Sequence, residues 1–182
     1  MAQALDDAVI RRPLGAALAI GAFATSLWMT FARAESPANV HVVELRQTEA
    51  SLRETYAKGK RMMLPRLVML DGKGRLVYGE TGLSGGLDRR LHEALRKDKP
   101  VATPITLDAI LAESENYDGQ HVASASLPQA DAYVIDWWAQ WCKPCHEMAR
   151  DLTGILARWS DTRFVWLKIE SDPEKTGKDG GA

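Results

Sequence analysis

Cysteine is almost missing from this chain. It occurs twice in 182 residues, as Cys142 and Cys145, and a pair three positions apart cannot staple distant segments together, which excludes a structural disulfide framework. Histidine is nearly as sparse. His41, His92, His121 and His146 show no ligand spacing, so a zinc site built on the two cysteines lacks its other two ligands. Neither sign of charge dominates, with 23 Lys and Arg against 24 Asp and Glu, so no basic excess argues for nucleic acid. At 46% hydrophobic and 26% charged, the composition is that of one ordinary folded domain with something extra at an end.

The extra piece is N-terminal. The stretch "RRPLGAALAIGAFATSLWMTFARAES" opens on Arg11 and Arg12, continues with an uncharged run from Leu14 to Ala32, and closes on Ala32-Arg33-Ala34. That is the pattern of an export signal with an A-x-A cleavage site. The run is also long enough to span a bilayer, with the two arginines left on the cytoplasmic side. Residues 1–34 are therefore expected to be a signal peptide or a membrane anchor, and membrane association is confined to them. Gly15, Gly21, Thr25 and Ser26, with no polar face, argue against a soluble core helix. Both readings put the rest of the chain outside the cytoplasm, which in a bacterium means the periplasm.

Beyond that segment, "NVHVVEL" (39–45) has the β-branched, apolar pattern of a strand, and "TEASLRETYAKGK" puts Leu52 and Tyr56 on one helical face. Ser51 and Glu54 offer a loose capping box for that helix. "LPRLVMLDGKGRLVYGETG" reads as two apolar strands around an Asp71 to Gly74 turn, and "LDRRLHEALRK" as an amphipathic helix with Leu87, Leu91, Ala94 and Leu95 inward. Periodicity then weakens. "TLDAILAES" is a short helix with Thr106 as N-cap, and "NYDGQHVASASLPQ" is mostly loop. "AYVIDWWA" is a nearly continuous apolar strand of the kind buried on both faces. After it, Met148, Leu152, Ile155, Leu156 and Trp159 recur at helical spacing, and "RFVWLKI" closes a strand-helix-strand crossover.

Both cysteines lie in "WAQWCKPCHEM", which supports two chemistries. As C-x-x-C it is a redox dithiol; as C-x-x-C-H it is a c-type haem attachment site, with His146 as the iron ligand. The dithiol reading has a physical basis in its position. A thiol at a helix start meets unpaired N–H groups and the positive end of the helix dipole, both of which stabilise a thiolate. Lys143 adds a positive charge that lowers the Cys142 pKa from its reference of about 8.5. Pro144 is tolerated in the first turn because its missing N–H would have been unpaired. In exchange, Cys142 attacks a substrate disulfide and Cys145, expected to be more buried, resolves the mixed disulfide. Against haem, the strand "YVIDWW" fills the space a porphyrin needs. A third reading, a binding module that does not use its cysteines, remains open.

"VIDWWAQWCKPC" resembles the strand and active-site motif of the thioredoxin family, with Lys143 where the family usually has Gly. The resemblance implies an α/β fold, a thioredoxin-like three-layer sandwich around a mixed central sheet. It implies a redox pair of Cys142 and Cys145 with no cofactor beyond their disulfide. It also implies Asp136 as the buried carboxylate assisting proton transfer at Cys145, and Trp141 as the ring beside the thiols. In that family a cis-proline loop facing the thiols follows the motif and leads into a β-hairpin and a final helix. Here only a polar tail follows the motif unit, yet "LPRLVMLDGKGRLVYGETGLSGGLDRRLHEAL" resembles the missing portion. Pro65 takes the cis-proline position, with Leu64 before it presenting its backbone to a bound peptide. The two halves stand in exchanged order, as in a circular permutation: 35–97 carrying the cis-proline hairpin, 98–130 the connection, 131–172 the active-site half and 173–182 a tail. The implied function is an extracytoplasmic thiol-disulfide oxidoreductase acting on protein disulfides. It is read as a reductase, which outside the cytoplasm needs a membrane electron donor.

Overall fold

The computed structural model describes residues 36–57, 63–97, 101 and 105–171; the N-terminal segment and the tail from 172 onward lie outside the described residues. Six strands and four helices follow one another as β1 (Val40–Gln47), α1 (Glu49–Ala57), β2 (Arg66–Asp71), β3 (Leu76–Thr81), α2 (Leu87–Lys97), α3 (Leu107–Ala112), β4 (Ser114–Glu115), β5 (Ala132–Trp138), α4 (Lys143–Arg158) and β6 (Phe164–Glu170). They form one mixed sheet of order β3-β2-β5-β6-β1-β4. β5, β6 and β1 run parallel, while β2 is antiparallel to both β5 and β3, and β4 is antiparallel to β1.

Side-chain alternation along the strands builds two cores. On one face Leu67, Met69, Val134, Phe164 and Trp166 pack against Leu87 and Leu91 of α2 and Met148, Leu152 and Leu156 of α4. On the other, Val68, Leu70, Ile135, Leu167 and Ile169 pack against Leu107, Ile110 and Leu111 of α3. The result is helix, sheet, helix, as the expected three-layer architecture requires. β5 and β6 are buried on both faces, which is why their sequences read as unbroken apolar runs.

Two local expectations change. The first helix begins at Glu49 with Thr48 as its cap, whose Oγ1 accepts from the Ser51 N–H at 3.3 Å. Ser51 thus lies inside the helix, and its hydroxyl accepts from Gln47 Nε2 rather than capping with Glu54. The region read as connection also does more than connect. Thr106 caps α3 as expected, with its side chain accepting from the Ala109 N–H, but α3 covers the second core face and β4 extends the sheet beside β1. Two residues of strand are too short to show a period. The Leu52 side chain is buried, and that of Tyr56 lies outside the described residues.

The parallel strands are clamped at their starting ends. Asp131 binds the Arg163 guanidinium and its N–H, tying the start of β5 to that of β6. Just before β1, Asn39 Nδ2 lies 3.0 Å from the carbonyl oxygens of Leu156, Trp159 and Thr162, and its own carbonyl accepts from the Phe164 N–H at 2.9 Å. The Leu156 and Trp159 carbonyls also accept from the Trp159 and Thr162 N–H groups, and the two amide hydrogens of Asn39 are shared among the three oxygens at and after the end of α4. Asn39→Ala should therefore lower stability by about 0.5–1.5 kcal/mol, measured by urea denaturation; a change near zero would show that the backbone donors suffice.

Candidate active site

β5 ends at Trp138, and the chain turns through Ala139, Gln140 and Trp141 into α4. Cys142 is the N-cap of α4: its backbone is extended and its Sγ accepts from the Cys145 N–H at 3.2 Å. Lys143 and Pro144 open the helix, both exposed. One helical turn brings the sulfurs into a disulfide, S–S 1.98 Å with Cα atoms 5.3 Å apart. After reduction, a thiolate at Cys142 would face N–H groups that have no intrahelical acceptor. The expected contrast in burial between the two cysteines is slight, 3% exposed for Cys142 and 1% for Cys145, whereas Trp141 beside them is 62% exposed.

The hairpin from the first half of the chain supplies the opposite wall. β2 pairs antiparallel with β5, setting Arg66 beside Trp137, so that the loop before β2 lies against the turn after β5. The Leu64–Pro65 bond is cis, and Leu64 packs on a cluster of Ala139, Cys142 and Cys145 together with Trp138. The Pro65 carbonyl accepts from the Gly82 N–H at 2.7 Å, tying this loop to the end of β3. Gly82 has φ +87°, where a side chain would be strained. Met63, just before this loop, and Leu83, just after Gly82, are exposed apolar side chains that were not singled out from the sequence.

Asp136 sits beneath this surface. It alternates with Val134 and Trp138 on the α4 face of β5, between Leu67 of β2 and Lys168 of β6 in register. It is fully buried, and neither carboxylate oxygen has a hydrogen-bond partner. Burial pushes its pKa up from 3.8 to about 7, and the positive charges of Lys168 and His146 oppose that rise. Lys168 was not anticipated, although a cation inside the apolar strand "FVWLKIE" was the available signal. Its ammonium lies 5.3 Å from the Trp138 ring centroid and 5.6 Å from that of Trp166.

His146 is exposed and turns back over the active-site turn. Its Nε2–H donates to the Gln140 carbonyl at 3.0 Å, and its ring meets Trp138 edge-on at 5.9 Å. The two sulfurs are bonded to each other, and Leu64 and Trp138 close the space around them. None of this suits thioether attachment of a haem. Among the described residues no group of three or more His, Cys, Asp or Glu could hold a metal ion, and no helix is long and apolar enough to cross a membrane.

A mixed sheet covered by helices on both faces, with a cysteine pair heading the helix after a central strand, defines a thioredoxin-like α/β protein with a disulfide centre. The comparisons agree. The thioredoxin family model matches residues 110–179. Mitochondrial thioredoxin-3 of Saccharomyces cerevisiae is 38% identical over 48 residues, 26% of this chain and 38% of the yeast protein. Thioredoxin of Streptomyces clavuligerus is 34% identical over 47 residues, 26% and 44% of the two chains. Thioredoxin of Buchnera aphidicola is 35% identical over 60 residues, 32% and 51%. The chain thus spans about half or less of the length of these relatives, and no solved structure matches it significantly. Over residues 110–179, the segment that carries its dithiol, the chain is similar to the thioredoxin family.

The buried carboxylate has a consequence for stability. An acid whose folded pKa lies above its unfolded value stabilises the fold fully below the unfolded pKa, and that contribution is lost as pH rises through the folded pKa. For Asp136 the window runs from about pH 4 to about pH 7. Asp136→Asn should therefore be more stable than the parent at pH 8, by on the order of a few kcal/mol, with the gain vanishing toward pH 4. Denaturation of the disulfide form across pH checks this; a gain independent of pH would place the effect in packing rather than in charge.

Proposed function

We propose that this protein is a thiol-disulfide oxidoreductase that exchanges disulfides with protein substrates through Cys142 and Cys145, acting as a reductant outside the cytoplasm. The observation that carries the reading is the convergence of three parts from distant segments. These are a cysteine pair at the start of α4, the Leu64–Pro65 loop packed against it, and an unpartnered carboxylate buried below.

The chemistry follows from the placement. In the dithiol form the Cys142 thiolate attacks one sulfur of a substrate disulfide, forming a mixed disulfide and releasing the other substrate sulfur as a thiolate. Cys145 then loses its proton and attacks Cys142 Sγ, expelling the second substrate sulfur. The substrate leaves as a dithiol, having gained two electrons, and the protein is left as the Cys142–Cys145 disulfide. Asp136, with a pKa of about 7 set by burial, is matched to accept the Cys145 proton near neutral pH. The exposed Trp141, with Leu64 and Leu83, offers an apolar surface for an extended peptide.

Further parts of the reading rest on sequence. Residues 1–34 have the pattern of an export signal or membrane anchor, and an extracytoplasmic reductant needs a membrane partner to return electrons to its disulfide. The order of elements is read as a permuted thioredoxin fold. Its support is the sheet order, in which the cis-proline hairpin, earlier in the chain, lies directly beside the dithiol strand.

The test is trapping by the full-length protein. Cys145→Ser should hold a substrate protein as a mixed disulfide on non-reducing gels and Cys142→Ser should hold none, with both losing turnover of a protein disulfide such as insulin. Covalent capture by Cys142→Ser would overturn the assignment of the attacking sulfur. Asp136→Asn should slow exchange by about tenfold or more at neutral pH while the protein stays folded; an unchanged rate at every pH would remove its proton role.

A further inference from the structure

The open end of the β2–β3 hairpin carries the Leu64–Pro65 loop on one strand and a glycine-rich loop on the other. β3 ends at Thr81, and residues 82–86, Gly-Leu-Ser-Gly-Gly, lead into α2. None of the five is buried and three are glycines, so this loop has little packing to fix it and much backbone entropy to lose. Its two ends are nevertheless placed. Gly82 donates its N–H to the Pro65 carbonyl at 2.7 Å, and Leu87, which follows Gly86, is buried in the core beneath α2.

Arg90, one turn into α2, reaches back over the middle of the loop. Its guanidinium donates to Ser84 Oγ at 2.6 Å, to the Ser84 carbonyl at 3.4 Å and to the Gly85 carbonyl. The same fork is anchored on β3, where Nη2 lies 2.9 Å from Glu80 Oε2 and Nε donates to the Tyr78 hydroxyl at 2.9 Å. Tyr78 in turn donates to Glu80 Oε2 at 2.5 Å, and the Ser84 hydroxyl donates to the same oxygen at 3.1 Å. Burial and the adjacent Glu80 push the Tyr78 pKa up to about 12, which keeps that donor protonated. The side chains of Arg90 and Glu80 are only 28% and 16% exposed, so solvent screens this pair less than an ordinary surface ion pair. A planar group with five donors can hold strand and loop at once, which an ammonium cannot.

The location of this latch gives it a role. Leu83, exposed, lies between Gly82, fixed to Pro65, and Ser84, fixed to Arg90, while Leu64 on the other side of Pro65 packs on the cysteine cluster. We propose that Arg90 is a positioning residue for protein substrates, holding the 82–86 loop so that Leu83 and the Leu64–Pro65 loop meet a peptide already ordered. Without the latch, a bound peptide has to order the loop itself, at a cost to affinity and none to the thiol chemistry. The proposal rests on the reading of this protein as an oxidoreductase for protein disulfides.

The experiment compares two substrates of the full-length protein: insulin, reduced in the presence of dithiothreitol, and the small disulfide 5,5′-dithiobis(2-nitrobenzoate), which needs only the thiols. Arg90→Met keeps an unbranched side chain on α2 and removes the fork. It should raise KM for insulin about threefold to tenfold with kcat near that of the parent, and leave the rate with the small disulfide unchanged. Arg90→Lys should recover only part of the loss. Gly85→Ala adds a methyl at a position where a Cβ meets nothing within 4 Å, and it narrows the freedom of the loop. In the Arg90→Met background it should bring KM part of the way back. An unchanged KM for insulin in Arg90→Met, or an equal loss on both substrates, would overturn the proposal, the second by placing Arg90 in general stability. A parent inactive on both disulfides would instead remove the proposed function, and this role of Arg90 with it.

Discussion

β2 and β5 meet antiparallel along six residue pairs, Arg66 with Trp137 through Asp71 with Ala132. Each partner is some seventy residues from the other in the chain, and each carries half of a site at its end. One end holds Leu64 and Pro65, the other the turn into Cys142. Because the side-chain period of a strand is two, a slip of one residue would turn Leu67 away from the α4 face and remove the apolar wall beside Asp136. That register is held by burial on both faces, with Leu67, Met69 and Val134 on one and Val68, Leu70 and Ile135 on the other. The packing that stabilises the sheet therefore also sets what the dithiol faces.

Within that frame Asp136 stands out as an energetic conflict. An apolar residue at its position would remove the cost of burying a carboxyl, and two oxygens without hydrogen bonds make the cost larger still. The fold tolerates the group by keeping it near half-protonation at neutral pH, where a proton can arrive or leave with little change in energy. Lys168 and His146 limit how far burial can raise the pKa. The cation is itself retained near the core by two indole faces rather than by a hydrogen-bonded ion pair. Groups perturbed in this way are commonly found at functional sites.

Much of this was legible in the chain. The apolar run at 132–138, the helical spacing from Met148 to Leu156 and the Asp71–Gly74 turn are local signals, and each element formed where its pattern stood. Cys142, Cys145 and Asp136 stand in one short motif, which places the disulfide at the head of α4 and the carboxyl in the buried strand before it. What escaped depends on register between segments far apart in sequence. Nothing near Lys168 in the chain says that it lies beside Asp136, because that follows only from the pairing of β5 with β6 in the sheet. The start of α1 was misread because Thr48 and Ser51 are both good caps and the choice between them is made by where β1 ends. α3 stood where it was read, but its place over the second core face was not legible, and β4 escaped because two residues carry too few positions to reveal a period.

The central claim is that Cys142 and Cys145 form a working redox couple. It is tested most directly by equilibrating the full-length protein across thiol-disulfide buffers and following tryptophan fluorescence, since Trp141 adjoins the sulfurs. A reversible two-electron transition is expected, with a slope of about 30 mV per tenfold change in ratio, and it should vanish in Cys142→Ser. A protein whose thiols stay free and inert across the whole range, with no change in fluorescence, would contradict it.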